Sequence, residues 1–527
     1  MFTRRISIAI FALVLALYPL ANVRGDVRLP HVIGSGMVLQ REAAAPLWGW
    51  ADPGETVTVT LGDTKLAPVQ AGADGKWMVK LPPQKAGGPV RITVAGKNTI
   101  ELDDILFGDV WLCSGQSNME MSPQRIDNAV EEMGAARYPS IRLFSVGRKV
   151  AQTPQDDCEG QWQACDPITV RTFSAVGYFF GRDLHKELDV PIGLINSSWG
   201  GTPAEAWTPL ATLQAEPEFA TILQRTENYA NTYPQLLEKY EADLARWETV
   251  AALAKEDGQP VPRKPNAPPK TANNPQLPAV LYNARIHPLV PFAIKGAIWY
   301  QGESNAGRAW QYRTLLPAMI TSWRQTWTAA GQLEPGQGDF PFGIVQLANY
   351  TKRLDQPAES TWAELREAQV LTAKNVPNCG LAVIIDIGDA KDIHPTNKQD
   401  VGKRLALWAL AQVYAKDVEY SGPVYDTMKI EGNTIRLTFS HVKGGLVIKE
   451  GDTLKGFAIA GDDRKFVWAD ARIDGDSVIV SSPAAGQPVA VRYAWASNPE
   501  CNLFNKADLP ASPFRTDDWP LTTAKAQ

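Results

Sequence analysis

A chain of 527 residues exceeds what one compact core holds, which sets the expectation at roughly two to four domains. Its formal net charge of -5 is small for this length and gives no electrostatic reason to expect nucleic acid or an anionic membrane surface as a partner. Aromatics are the one compositional bias, with 17 Trp.

At the start, Arg4 and Arg5 precede an uncharged apolar run over residues 6–17. Tyr18-Pro19 and a stretch free of acidic residues then lead to Gly25. This is the pattern of a secretory signal peptide, and a retained anchor needs ~20 apolar residues. Residues 1–25 are therefore expected to direct export to the periplasm or beyond, with no membrane attachment after cleavage. An exported chain can pair Cys158 with Cys165 across a short polar loop. The odd count set by Cys113, Cys379 and Cys501 leaves at least one thiol free, and no CxxC spacing suggests zinc.

Residues 26–103 carry short alternating runs such as Thr56-Val57-Thr58-Val59-Thr60-Leu61, broken by turn signals such as Asp52-Pro53-Gly54. They read as a small N-terminal β-sandwich. From residue 104 the texture changes. Strand-like runs at 107–113, 141–146, 192–196, 294–300, 342–347 and 380–386 alternate with helical patterns at 124–136, 173–188, 312–327, 362–375 and 398–414. That alternation predicts an α/β fold with a doubly wound parallel sheet over residues 104–420. Residues 210–278 interrupt it with a polar helical segment (234–253) and a proline-rich stretch (259–278), an insertion expected to cap part of a site edge. Residues 421–527 return to alternating runs and read as a C-terminal β-rich module.

The chemistry concentrates at predicted strand ends, where open α/β sheets bind ligands. Gly115-Gln116-Ser117-Asn118-Met119 follows the first α/β strand, and Gly115 permits a turn there that sets up Ser117. It is not a G-x-S-x-G elbow, because Met119 stands where the second glycine would be. Among five histidines only His394 lies beyond a buried-looking strand, with Asp386, Asp389 and Asp392 in the eight positions before it. A serine nucleophile needs such a base, and the base needs a carboxylate to fix its tautomer; Asp392 is nearest in sequence. His185 sits in an amphipathic helix, His31 and His441 fall in the β modules, and His287 ranks second. The same aspartates with His394 also admit a divalent-metal reading, although no second histidine or cysteine lies nearby.

Two more loops complete the set. Trp199-Gly200-Gly201-Thr202 offers backbone N–H groups that can approach an oxyanion, and Gln301-Gly302-Glu303-Ser304-Asn305 offers amide side chains. Trp199, Trp207, Trp299, Tyr300 and Trp310 are near these loops and can face sugar rings or pack in the core.

Together these blocks resemble the sialate O-acetylesterase family of the SGNH hydrolases, in order from Gly115-Gln116-Ser117-Asn118-Met119 to Asp392-Ile393-His394-Pro395. The resemblance implies an SGNH-like sheet and a cofactor-free, metal-independent carbohydrate O-acetylesterase acting on an acetylated oligosaccharide. It makes Ser117 the nucleophile and His394 the base, and it assigns the oxyanion hole to the Ser117 N–H, Gly200 or Gly201, and Asn305. Gln116, Trp199, Gln301, Glu303 and Arg285 are then expected to contact substrate. Two positions depart from the family pattern. Lys391 stands three residues before His394, where many SGNH enzymes place the acid, so Asp392 takes that role by its DxH spacing. Ala284-Arg285 replaces an expected Gly-Met pair. Two other readings are a non-catalytic carbohydrate-binding protein built from the aromatics and the two β modules, which leaves the Ser/Gly/Asn/His coincidence unexplained, and a glycosidase using Glu120 and Glu303. The sugar that carries the ester and the oligomeric state are not legible in the sequence.

Overall fold

The computed structural model describes residues 26–330 and 339–525, so the signal-peptide expectation for residues 1–25 lies outside the described residues. In the N-terminal region β1 (Thr56–Leu61) turns its threonines outward and buries Val57, Val59 and Leu61. It pairs antiparallel with β2 (Gly87–Ala95), which pairs in turn with the 17-residue β3 (Thr99–Gly115). The second half of β3 belongs to the central sheet. The boundary expected between residues 103 and 104 therefore falls inside one continuous strand. Every residue from Ile105 to Gly115 is buried, as a strand covered on both faces requires.

Around β3 the central sheet collects β4 (Tyr138–Ser145), β5 (Trp162–Cys165), β6 (Ile192–Ser198), β7 (Gly296–Tyr300), β8 (Phe342–Val345) and β9 (Cys379–Ala382) in the order β5-β4-β6-β3-β7-β8-β9. All neighbours are parallel except β5 and β4. Alternate side chains of β3 feed two cores. Val110 and Leu112 face one with Trp299, Leu315 and Leu365, the last two from α4 (Ala309–Ala329) and α5 (Thr361–Asn375). Trp111 and Cys113 face the other with Phe180 and Leu184 of α2 (Ala175–Leu188) and Leu405 and Trp408 of α6 (Lys398–Gln412). Trp111 meets the edges of Phe180 and Trp408 at centroid distances of 4.9 and 6.3 Å. Helices thus cover both faces, as a doubly wound sheet demands.

Those two cores also explain why Cys158 and Cys165, which the sequence allows to pair, do not. Cys158 packs in the first core and Cys165 in the second, and all five cysteines are free.

The helix of the insertion is longer than the segment 234–253 read from the sequence. This helix, α3 (Ala220–Glu256), runs 37 residues and fully buries only Ile222 and Ala251. At the C-terminal end, β10 (Thr434–Ser440) and β12 (Ser477–Ser481) lie in one sheet, while β11 (Phe457–Gly461) and β13 (Pro488–Tyr493) lie in another. Leu437, Val480, Ile459 and Val491 meet in a third core between them. Among the described residues no helix is long and apolar enough to cross a membrane.

Candidate active site

Strands β6, β3 and β7 end level with one another, since Ser198 and Tyr300 are both register partners of Gly115. Gly115 has φ of 137°, and a Cβ there would lie 2.2 Å from the Tyr300 carbonyl oxygen, so both conformation and space require glycine. Gln116 stays extended and gives its N–H to the same carbonyl at 3.0 Å. The chain then turns into the four-residue helix α1 (Ser117–Glu120). Ser117 is its first residue, so its N–H has no intrahelical acceptor.

The loop after β9 brings His394 to that serine. His394 Nε2 lies 2.9 Å from Ser117 Oγ, and Nδ1 lies 2.9 Å from Asp392 Oδ1. With the ring proton on Nδ1, Nε2 is free to accept the serine hydroxyl. Asp392 Oδ1 also accepts the His394 backbone N–H at 2.9 Å. That backbone bond, together with the ring bond, holds the Asp392 carboxyl below its ordinary value. The Asp392 side chain is 57% exposed, so water reaches the carboxylate that holds the His394 ring. Asp386 pairs with the Arg404 guanidinium at 2.6 and 2.7 Å, and Asp389 accepts the Lys391 N–H at 2.7 Å; both carboxylates are engaged away from His394.

A buried network ties the serine turn to the histidine loop. Asn118 Nδ2 donates to the Ile393 carbonyl at 3.0 Å and to Glu303 Oε1 at 2.6 Å, while its Oδ1 accepts from Lys398 Nζ at 2.5 Å. Lys398 is fully buried, and desolvation pulls its ammonium down to about 7. Burial pushes the Glu303 carboxyl up, and its Oε2 has no hydrogen-bond partner among the described residues. The residues flanking Ser117 and His394 thus share one amide.

The other expected site residues divide. Gly200 packs against Ser117, but its N–H goes to Glu120 Oε2 at 2.8 Å. The expected Asn305 donor is committed elsewhere, because Nδ2 serves Glu205 Oε2 at 2.9 Å and Oδ1 accepts from Ala204 N–H and Gln301 Nε2. A buried carboxylate is the stronger claimant on that amide. Gly201 has φ of 72° and its carbonyl accepts from Gln276 Nε2; its N–H donates to no described atom.

Of the residues expected to contact substrate, Gln301 is fully buried, with Oε1 accepting from Tyr312 and Nε2 donating to Asn305. Glu303 is bonded to Asn118 as above. Gln116 Oε1 accepts from Ser304 N–H at 3.3 Å, so it stitches the serine turn to the next loop. Arg285 departs furthest from expectation. Its guanidinium is buried, donates to the Gly147 and Ser198 carbonyls and lies 5.4 Å from the Trp199 ring centroid. Desolvation lowers it to about 10. Arg285 therefore supports Trp199 from within, and Trp199, like Glu303, is half-buried. Trp207, Trp299 and Tyr300 are fully buried core residues.

Four participants escaped sequence reasoning. Glu120 was considered only as a glycosidase carboxylate, yet it holds the Gly200 N–H and pairs with Arg148. Arg148 also covers Trp199 at 5.2 Å. Lys398 and Glu205 are not singled out by any motif in the sequence. Only Glu120, three residues after Ser117, carried any local signal. The remaining histidines have partners remote from this chemistry: His31 with Asp157, His185 with the Val190 carbonyl, His287 with the Gln155 carbonyl and His441 with Glu419.

Comparison with known proteins agrees with this architecture. A family described as carbohydrate esterase, sialic acid-specific acetylesterase matches residues 107–249. The sialate O-acetylesterases of Homo sapiens and Pongo abelii are each 33% identical, over 92% of this chain and 92% of their own length. A solved carbohydrate acetylesterase from Xanthomonas citri is 38% identical, with a TM-score of 0.77 over 94% of this chain and all of its own. With relatives of this similarity matched along nearly its whole length, the chain belongs to the sialate O-acetylesterase family.

Proposed function

We propose that this chain is a serine esterase that removes O-acetyl groups from carbohydrates through an acetyl-enzyme. One observation carries the reading: His394 lies within hydrogen-bond reach of Ser117 Oγ through Nε2 and of Asp392 through Nδ1. His394 takes the serine proton as Oγ attacks the acetyl carbonyl, and Asp392 stabilises the imidazolium that forms. Imidazolium then returns the proton to the leaving sugar oxygen. Water, deprotonated by the same ring, releases acetate and regenerates Ser117.

The N–H groups of Ser117 and Gly201 are uncommitted donors for the oxyanion, each worth roughly 3 kcal/mol by analogy with a known amide donor. Gly200 joins them when Glu120 gives up its N–H. The acetylated substrate is a sialic acid or a plant hemicellulose oligosaccharide, and Trp199 packs on its sugar face. The apolar run at residues 6–17 supports action after export, in the periplasm or outside the cell; a mature amino terminus still at Met1 in secreting cells would remove that part.

Ser117→Ala should abolish acetate release from acetylated sugars and from para-nitrophenyl acetate while the far-ultraviolet circular dichroism stays unchanged. Turnover retained by that variant would overturn the assignment.

A further inference from the structure

Against the Gly201 and Ser304 loops lies a cavity of about 550 Å³, within the usual range for small-molecule sites. Gly201 and Ser304 line its inner end. Both belong to the catalytic loops, Gly201 next to Gly200 and Ser304 through its N–H bond to Gln116. The outer wall is the inserted helix α3, through Arg225, Asn228, Tyr229 and Thr232. Gln276 lines it as well and is anchored by its bond to the Gly201 carbonyl at 3.0 Å. The insertion thus builds, with Gly201 and Ser304, a space that an acetyl group alone does not need.

The charge in this cavity is unbalanced. Arg225 and Arg308 both line it, and both reach the same oxygen, Oε1 of fully buried Glu205. Glu205 Oε2 is taken by Asn305, and no acidic residue lines the cavity. Two guanidiniums over one carboxylate leave one net positive charge facing the space. Desolvation and the neighbouring Arg308 hold the Arg225 guanidinium below its ordinary value, although Glu205 opposes them. An entering anion would relieve that imbalance. Tyr229 is half-buried in the same wall, with its hydroxyl fixed on the Pro269 carbonyl at 2.6 Å, and so presents a fixed aromatic side chain.

We infer that this cavity is an oligosaccharide subsite for a carboxylate-bearing sugar unit attached to the acetylated one, with Arg225 and Arg308 receiving the carboxylate and Tyr229 packing on the ring. The inference rests on the esterase reading. Arg guanidinium binds carboxylate through paired N–H donors, and an aromatic face suits the apolar side of a pyranose. Asn228, Thr232 and Gln276 supply polar groups for hydroxyls.

The test compares two acetylated xylo-oligosaccharides, one carrying a uronic acid branch and one without it, against para-nitrophenyl acetate, which is too small to reach α3. Arg225→Gln leaves Arg308 on Glu205, so the buried carboxylate keeps a partner. In that variant KM for the acidic oligosaccharide should rise about tenfold while KM for the neutral one changes less than about twofold. Tyr229→Ala should raise KM for both oligosaccharides. Aryl acetate turnover reports on Ser117 chemistry independently: if the wild type lacks it, the esterase reading fails. If it persists and Arg225→Gln shifts both oligosaccharides equally or neither, the subsite is overturned.

Discussion

Gly200 gives its N–H to Glu120 Oε2 across 2.8 Å, and a Cβ placed on Gly200 would touch both that oxygen, at 3.1 Å, and Ser117 Cβ, at 3.3 Å. A carboxylate oxygen of the protein itself thus occupies a donor that an acyl-transfer site needs for its oxyanion. Arg148 holds the other Glu120 oxygen while covering Trp199. Glu120→Ala frees the Gly200 N–H. The expected outcome is a rise in kcat/KM for para-nitrophenyl acetate of about tenfold, the worth of one charge-assisted hydrogen bond. A fall instead would show that Glu120 holds the loop in its working shape.

Asp392 reaches the His394 ring from an exposed position and simultaneously fixes the backbone of the residue it orients. Asp392→Asn keeps an acceptor for the backbone N–H but favours the wrong ring tautomer. By analogy with serine proteases, kcat should fall about ten-thousandfold. Steady-state kinetics at neutral pH read it, and a loss below about tenfold would make the site a serine–histidine dyad.

The sheet and the positions of Ser117, Gly200 and His394 were legible because local patterns carry them. Parallel strands buried on both faces read as continuous apolar runs, and glycines mark where the chain must turn. The expected break at residue 104 was illegible because β3 passes from one sheet to the next without any change in its apolar run from Ile105 to Gly115. The commitments of Asn305 and Arg285 were hidden for another reason. Each depends on a partner far along the chain, Glu205 at a separation of 100 residues for Asn305 and the Gly147 carbonyl at 138 for Arg285, and side-chain type alone does not say which acceptor a donor meets. Loops yield their residue types to sequence reading more readily than their hydrogen-bond partners.

Asn118 ties the Ser117 turn to the His394 loop through the Ile393 carbonyl. Asn118→Ala removes the bond to the Ile393 carbonyl and strands Glu303 and Lys398 in the interior. Stability should drop by about 2–4 kcal/mol, read by urea unfolding. Activity in the folded fraction should drop as well, through kcat more than KM, since Asn118 places His394 rather than touching sugar. An unchanged kcat would show that the loop holds itself.

The cysteines make a separate prediction. Burial pushes the thiols of Cys158, Cys165 and Cys501 up to about 12 and that of Cys379 up to about 11. Cys113, fully buried, is raised further. Thiolate is the reactive form, so native protein at pH 8 should resist iodoacetamide and become labelled on all five residues only after unfolding. Its melting temperature should be the same with and without reductant. A reductant-dependent melt would reveal a disulfide.

Lys398 provides a pH test of the buried network. Its folded-state value is lowered to about 7 by desolvation, with Glu303 and Asp392 opposing and Arg125 assisting, while in the unfolded chain it returns to the ordinary value near 10.4. Between about pH 7 and pH 10 the unfolded state therefore holds a proton that the folded state has released. Stability gained from this group must rise with pH across that window, by up to about 1.4 kcal/mol per unit. Burial shifts Glu303 the other way: its folded carboxyl keeps its proton longer, so its contribution declines as pH rises through that raised value. Urea unfolding of the wild type, Lys398→Met and Glu303→Gln at several pH values from 6 to 10 separates the two. The free-energy difference between wild type and Lys398→Met should climb with pH above about 7, because only the wild type has this proton to lose. A flat difference would mean that Lys398 stays charged inside the protein, with Asn118 and Glu303 compensating it fully.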